Sequence, residues 1–230
     1  MTAQQWTTGR QNAGSTQVQA AEALGISQPY LSQLETGSRA AGPVLIRKAA
    51  ALYRLPATAL PLPEPQESEA VGPDGLQREL AALGYPRFAH VSPAERRNPA
   101  GVVFSAVTQG DLDTRLVEAL PWVMSTYTDL DWQWLRDRAK LGNVQNRLGY
   151  LVSLAKDVVR SRAEKSHEIQ ALSEWERDLE EARLAREDTL CRDSMPPAER
   201  SWLKVHRPPA AEHWNLLTGL TLEQLPYVEK

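Results

Sequence analysis

The ordered run from Thr16 to Gly37 constrains the fold of this chain more than any other feature. Thr16 is a helix-capping residue, and Ala20 and Ala21 are small where two helices must cross closely. Gly25 stands where the chain needs a positive φ, which glycine adopts at low cost. Ile26 buries the turn, Ser27 caps a second short helix and Gly37 ends it. Leu31 and Leu34 face inward, so Gln28, Pro29, Ser32 and Gln33 are exposed together.

Two short helices joined in this way form a helix-turn-helix, in which one helix lies in the DNA major groove while its partner braces across the backbone. The run resembles the Cro/C1-type helix-turn-helix family (the XRE family) of phage repressors and their bacterial relatives. The likeness spans about residues 5–58 and rests on Thr16-Gln17, Ala21, Leu24-Gly25-Ile26-Ser27, Leu31-Ser32-Gln33-Leu34-Glu35 and Gly37. It implies a five-helix, lambda-repressor-like domain that binds double-stranded DNA. By position, Thr16 and Gln17 open the second helix, where the family holds a phosphate. Gln28 opens the recognition helix, where a glutamine can bond adenine through N6 and N7. Gln33 reaches a further base, and Tyr30, Ser38 and Arg39 meet the sugar-phosphate backbone. Arg10 and Glu35 match the family's structural ion pair. Pro29 departs from the pattern, because it cannot donate a hydrogen bond and offers only apolar contact to a thymine methyl. The alternative reading makes Gln28, Ser32 and Gln33 a solvated helix face.

Charge is distributed accordingly. The chain carries a formal net charge of -3, yet residues 1–60 hold five basic and two acidic residues, a net of +3 that leaves -6 for the rest. A basic head on an acidic body fits DNA contact confined to one end. Residues 61–75 contain four prolines and two glycines with little to bury and read as a linker between a head of residues 1–60 and a body of 76–230. The single cysteine, Cys191, has no partner for an internal disulfide, the first six residues lack a signal-peptide pattern, and no apolar run is long enough to span a bilayer. A cytoplasmic protein is expected.

The body reads as helical throughout, so the fold class expected is all-α, with a C-terminal bundle of seven or eight helices. Asn98-Pro99 opens one helix and Gly110-Asp111 a second, which Pro121 should bend or split. Asp131 caps a third, Asn143 opens the next, and residues 166–190 read as one long charged helix. Pro196-Pro197, Pro208-Pro209 and Thr221 open the last elements, with Leu216 and Leu217 on the helix that begins at Pro209. The four histidines are scattered, no HExxH or CxxC spacing occurs, and nucleophile-elbow, P-loop and dinucleotide motifs are absent. No catalytic site, metal or cofactor is expected.

One cluster in the body invites a choice. Trp132, Trp134, Asn146, Arg147 and Tyr150 sit around short turns, and these residue types suit either a partner-binding face or a core tryptophan pair with helix caps. The layout looks like the helix-turn-helix antitoxins of toxin–antitoxin pairs, and the run from Leu120 to Tyr150 is similar to helical domains encoded beside nucleotidyltransferase-like toxins. That resemblance implies a repressor of its own operon that neutralises a toxin through the body. The alternative is a ligand-responsive regulator with a helical sensor domain. Homodimerisation is expected in either case, because one recognition helix reads only a few base pairs.

Overall fold

Capping side chains set the helix boundaries of the first sixty residues. The computed structural model describes residues 1–63, 72–162 and 166–228. Helix α1 (Ala3–Asn12) starts at Thr2, whose hydroxyl accepts from the Gln5 N–H while the Gln5 side chain accepts from the Thr2 N–H. Thr16 and Gln19 repeat this reciprocal cap at α2 (Gln17–Leu24), and Ser27 accepts from the Tyr30 N–H to start α3 (Gln28–Glu35). Gly25 takes φ +72° between them, with open space where a Cβ would sit. Backbone conformation, not room, is therefore what demands glycine there. Helix α4 (Pro43–Leu52) and a 3-10 turn (Ala57–Ala59) complete the head. The expected fifth helix is this single 3-10 turn.

Trp6, Leu24, Leu31, Leu34, Ala49 and Tyr53 form the core of the head, joined by the buried Ala20 and Ala21. Trp6 meets Tyr53 edge to face at 6.4 Å. The chain divides into two compact units, Met1–Pro63 and Glu64–Lys230. Of the proline-rich stretch 61–75, residues 64–71 lie outside the described residues, and Pro73 already opens α5 (Pro73–Ala82).

The second unit is organised around one helix. α6 (Pro99–Val107), α7 (Thr114–Thr126) and α8 (Trp132–Leu141) lead to α9 (Gln145–Ser161), of which 13 of 17 residues are buried, so α9 is the axis of the body. It packs most extensively on α7 and on α10 (Ser166–Glu180), which contributes Leu172, Trp175 and Leu179. A two-residue strand β1 (Asp188–Thr189), α11 (Pro197–His206), α12 (Pro209–His213) and strand β2 (Leu216–Leu217) follow. The strands pair in parallel, Asp188 with Leu216 and Thr189 with Leu217. The protein is all-α apart from these two short strands among the described residues.

Several boundaries differ from the sequence reading for identifiable reasons. The long helix expected over 166–190 ends at Glu180, because side chains at the start of α9 capture the chain beyond it. Gln145 donates to the Ala182 carbonyl at 3.1 Å, and Asn146 both donates to the Leu184 carbonyl at 2.9 Å and accepts its N–H at 2.8 Å. Asn143 adopts φ +56° in the turn before α9 and does not cap it. Helix α7 is capped by Asp113 and starts at Thr114, not Gly110, since Asp111 is occupied with the Ser194 N–H and hydroxyl at 2.9 and 2.6 Å. Pro121 does not split α7: five of the seven residues Val117–Val123 around and including it are buried, and that burial offsets the hydrogen bond that proline removes. Asn215, at φ +52°, ends the helix opened at Pro209 and places Leu216 and Leu217 in β2.

Gly149 of α9 lies against the buried Trp214 ring, where a Cβ would fall 2.5–2.6 Å from three ring carbons. Trp214 cannot retreat easily, because its indole N–H donates to Ser153 Oγ at 3.0 Å. Gly149→Ala should therefore destabilise the body by about 1–3 kcal/mol, the usual range for overpacking. Calorimetry should show a melting temperature lower by several degrees; an unchanged transition would contradict this packing.

Candidate nucleic-acid interface

Arg10 carries only donors and the Glu35 carboxylate only acceptors, which fixes the polarity of everything attached to them. Arg10, in the last turn of α1, forks onto Glu35 at the end of α3 with Nε–Oε1 2.5 Å and Nη2–Oε2 3.1 Å. Its remaining Nη1 donates to the Ser15 carbonyl at 2.9 Å and so holds the loop before α2. Burial alone would raise the Glu35 carboxyl, but the hydrogen bonds from Arg10 and Gln17 hold it below the usual carboxylate range. This is the ion pair that the resemblance implied.

The network continues to the outer surface. Gln17 Nε2 donates to Glu35 Oε2 at 2.7 Å, so Gln17 must present Oε1 on its other side. That oxygen accepts from Gln28 Nε2 at 2.7 Å. Gln28 is left with one N–H and with Oε1, which has no partner among the described residues. A donor beside an acceptor on one amide plane matches N7 and the N6 amino group of adenine. The sequence predicted Gln17 and Gln28 as separate contacts; their mutual bond was missed, although a glutamine at the first position of both helices was the available signal.

The other predicted residues gather around this pair. Pro29 is exposed in the first turn of α3, where a backbone N–H would lack an intrahelical partner anyway, so it removes no helix bond. Gln33 is exposed further along the same face, with Ser32 half-buried between them. Thr16 is exposed, and the N–H groups of Gln17 and Val18, first in α2, have no intrahelical acceptor, an arrangement suited to a phosphate. Ser38 Oγ lies 2.8 Å from Thr36 Oγ1, and the Ser38 and Arg39 N–H groups both donate to the Gln33 carbonyl. The Arg39 guanidinium stacks over the half-buried Tyr30 ring at 5.1 Å, which presets both side chains. Val18, 65% exposed beside Gln17, is an apolar member of this surface that the sequence reading passed over.

The cluster in the body is placed differently. Trp132 and Trp134 on α8 are half-buried: Trp132 stacks on Trp175 at 4.8 Å and donates to Asp178 at 2.9 Å, and Trp134 meets Phe104 edge-on at 5.6 Å. Asn146, Arg147 and Tyr150 are interior. Asn146 clasps Leu184, and Tyr150 donates to the Leu220 carbonyl. Arg147 is 5% exposed and forks onto Asp188 at 2.7 and 2.9 Å, reaches Asp193 at 3.0 Å, and donates to the Gln109 carbonyl at 2.8 Å. These three residues tie α9 to the chain around it and do not form an open partner face. Trp, Arg and Asn suit interfaces and buried polar networks alike, and composition does not separate the two.

Among the described residues no group of three or more His, Cys, Asp or Glu is arranged to hold a metal, and no helix is long and apolar enough to cross a membrane. Burial pushes the Cys191 thiol up to about 11, so it is not a thiolate at neutral pH. Residues 8–62 match the family model of a helix-turn-helix domain. No curated protein and no solved structure matches the chain.

Removing the shared acceptor tests the network. Glu35→Ala should cost the head about 3 kcal/mol, since it strands a largely buried Arg10. Hydrogen exchange in α1–α3 of the full chain should accelerate roughly a hundredfold; unchanged protection would contradict the role given to this carboxylate.

Proposed function

We propose, from the premise that residues 8–62 form a helix-turn-helix domain and that the chain is a DNA-binding regulator, that the protein is a sequence-specific transcriptional repressor whose helix α3 reads adenine in an operator. The observation that supports this reading is the fixed polarity of the Gln28 amide, set through Gln17 by Glu35 and Arg10. Pro29 supplies apolar contact for a neighbouring thymine methyl, and Gln33 a second polar contact. The open N-terminus of α2 and the Tyr30–Arg39 pair hold the flanking phosphates. Repression is the least demanding outcome of such binding, because a protein seated in the groove excludes others from the same base pairs.

The protein acts by occupancy and not by catalysis, in the cytoplasm, and as a homodimer on two half-sites ~34 Å apart. The antitoxin reading draws no support from Asn146, Arg147 and Tyr150, which are engaged inside the body. We therefore propose the repressor without assigning it a toxin.

Selection from a random duplex pool with the full chain should enrich an adenine-containing inverted repeat. On the recovered duplex, Gln28→Ala with Gln33→Ala should weaken binding about 10- to 100-fold, the worth of a bidentate base contact. Affinity for a scrambled duplex at the same salt should stay within about twofold, because phosphate contacts are sequence-independent. Equal loss on both duplexes, read by fluorescence anisotropy, would overturn the assignment of α3 as the reading helix.

A further inference from the structure

Helix α11 is held to the body more weakly than its sequence warrants. Of its ten residues only Leu203 is buried, in a small cluster with Met195 and Leu217. Trp202 and Val205, on the same short helix, are 57% and 79% exposed. An amphipathic helix normally covers its large apolar side chains, and an exposed tryptophan is uncommon unless it contacts something. The remaining ties of α11 are polar and peripheral: Arg192 with Glu199, Lys204 with Glu187 at 3.4 Å, and Arg200 to the carbonyls of Met195 and Asp193. Prolines 196–197 and 208–209 bound the helix at both ends.

Under α11 lies a cavity of about 260 Å³. It is open to solvent on one side, and its lining mixes Leu112, Val117, Leu190, Leu217 and Leu220 with the polar Thr114, Thr218 and Gln224, while Trp202 also borders it. That ring is preset, because it stacks on His206 at 4.4 Å and the His206 ring nitrogen pairs with the Trp202 carbonyl at 2.8 Å. Within the wall, the buried Thr218 hydroxyl accepts from the Leu220 N–H at 3.2 Å and retains its own proton for a further acceptor. The charged lining residues, Arg192 and Glu199, neutralise each other.

We infer that this cavity is a binding site for a small, uncharged aromatic molecule carrying one hydrogen-bond acceptor, with α11 as its lid. The volume bounds the size: a closed apolar cavity of about 150 Å³ takes benzene, so an open cleft of about 260 Å³ has room for one or two fused rings. The paired charges at the rim favour no ionic group. Trp202 offers a flat face to a ring, and the Thr218 hydroxyl meets a ring nitrogen or a phenolic oxygen. This inference concerns the body alone and goes beyond the DNA-binding reading, so either can fail without the other.

The test titrates the full-length protein with indole, quinoline and 2-naphthol by calorimetry. Saturable one-to-one binding of at least one of the three is expected. Trp202→Ala should weaken it at least tenfold, and the side chain is exposed enough for the fold to survive. Gly219→Leu is the second variant: a Cβ there meets only Leu203, at an ordinary 3.7 Å, and the longer side chain fills the cavity. It should abolish binding while the melting temperature holds or rises, whereas Val205→Ser, outside the lining, should leave binding unchanged. No saturable binding of any of the three compounds, or binding indifferent to both Trp202→Ala and Gly219→Leu, overturns the site.

Discussion

The Glu35 carboxylate is the point on which the head depends, because α1, α2 and α3 all converge on it. Arg10 reaches it from α1, Gln17 from α2, and α3 carries it at its last turn. An acceptor-only group flanked by donors leaves one way to orient the amides beyond it. The orientation of Gln28 at the surface is thus decided by an ion pair two residues inward along the network. A helix-turn-helix built on packing alone would hold α3 in place but leave the Gln28 amide free to present either edge. Specific reading of a base needs the edge chosen in advance, since ordering a free glutamine on binding costs side-chain entropy.

Much of this was legible in the sequence. Thr16, Gly25, Ser27 and Gly37 punctuate the head by local chemistry, and Leu31 and Leu34 set which face of α3 turns outward. The pairing of Arg10 with Glu35 came through resemblance. What was not legible was the bond between Gln17 and Gln28, which depends on how α2 and α3 cross. In the body the capped starts at Asn98 and Asp131 were readable. The end of α10 was not, because Asn146 and Gln145 determine it from far along the chain. Local pattern predicts an element until a distant side chain competes for its backbone.

Arg147 illustrates the same limit in another form. As a residue type it suggested an interface, yet it lies at the centre of the body, joining α9 to the segments at 107–109 and 188–193. A buried guanidinium must satisfy several donors at once, and here two carboxylates and two backbone carbonyls do so. Such a network adds less net stability than it adds definition, because removing charges from water is costly. It specifies where the irregular segment after α10 lies, and that segment supplies one wall of the cavity beneath α11.

The central claim is that Gln28, oriented through Gln17 and Glu35, reads an adenine. Its most direct test replaces each adenine of a selected duplex in turn by 7-deazaadenine, which lacks the N7 acceptor. The account predicts one adenine in each half-site whose replacement weakens binding by wild-type protein about tenfold and leaves binding by Gln28→Ala unchanged. If every replacement is silent, or if the loss is the same in both proteins, Gln28 does not read adenine and the account fails.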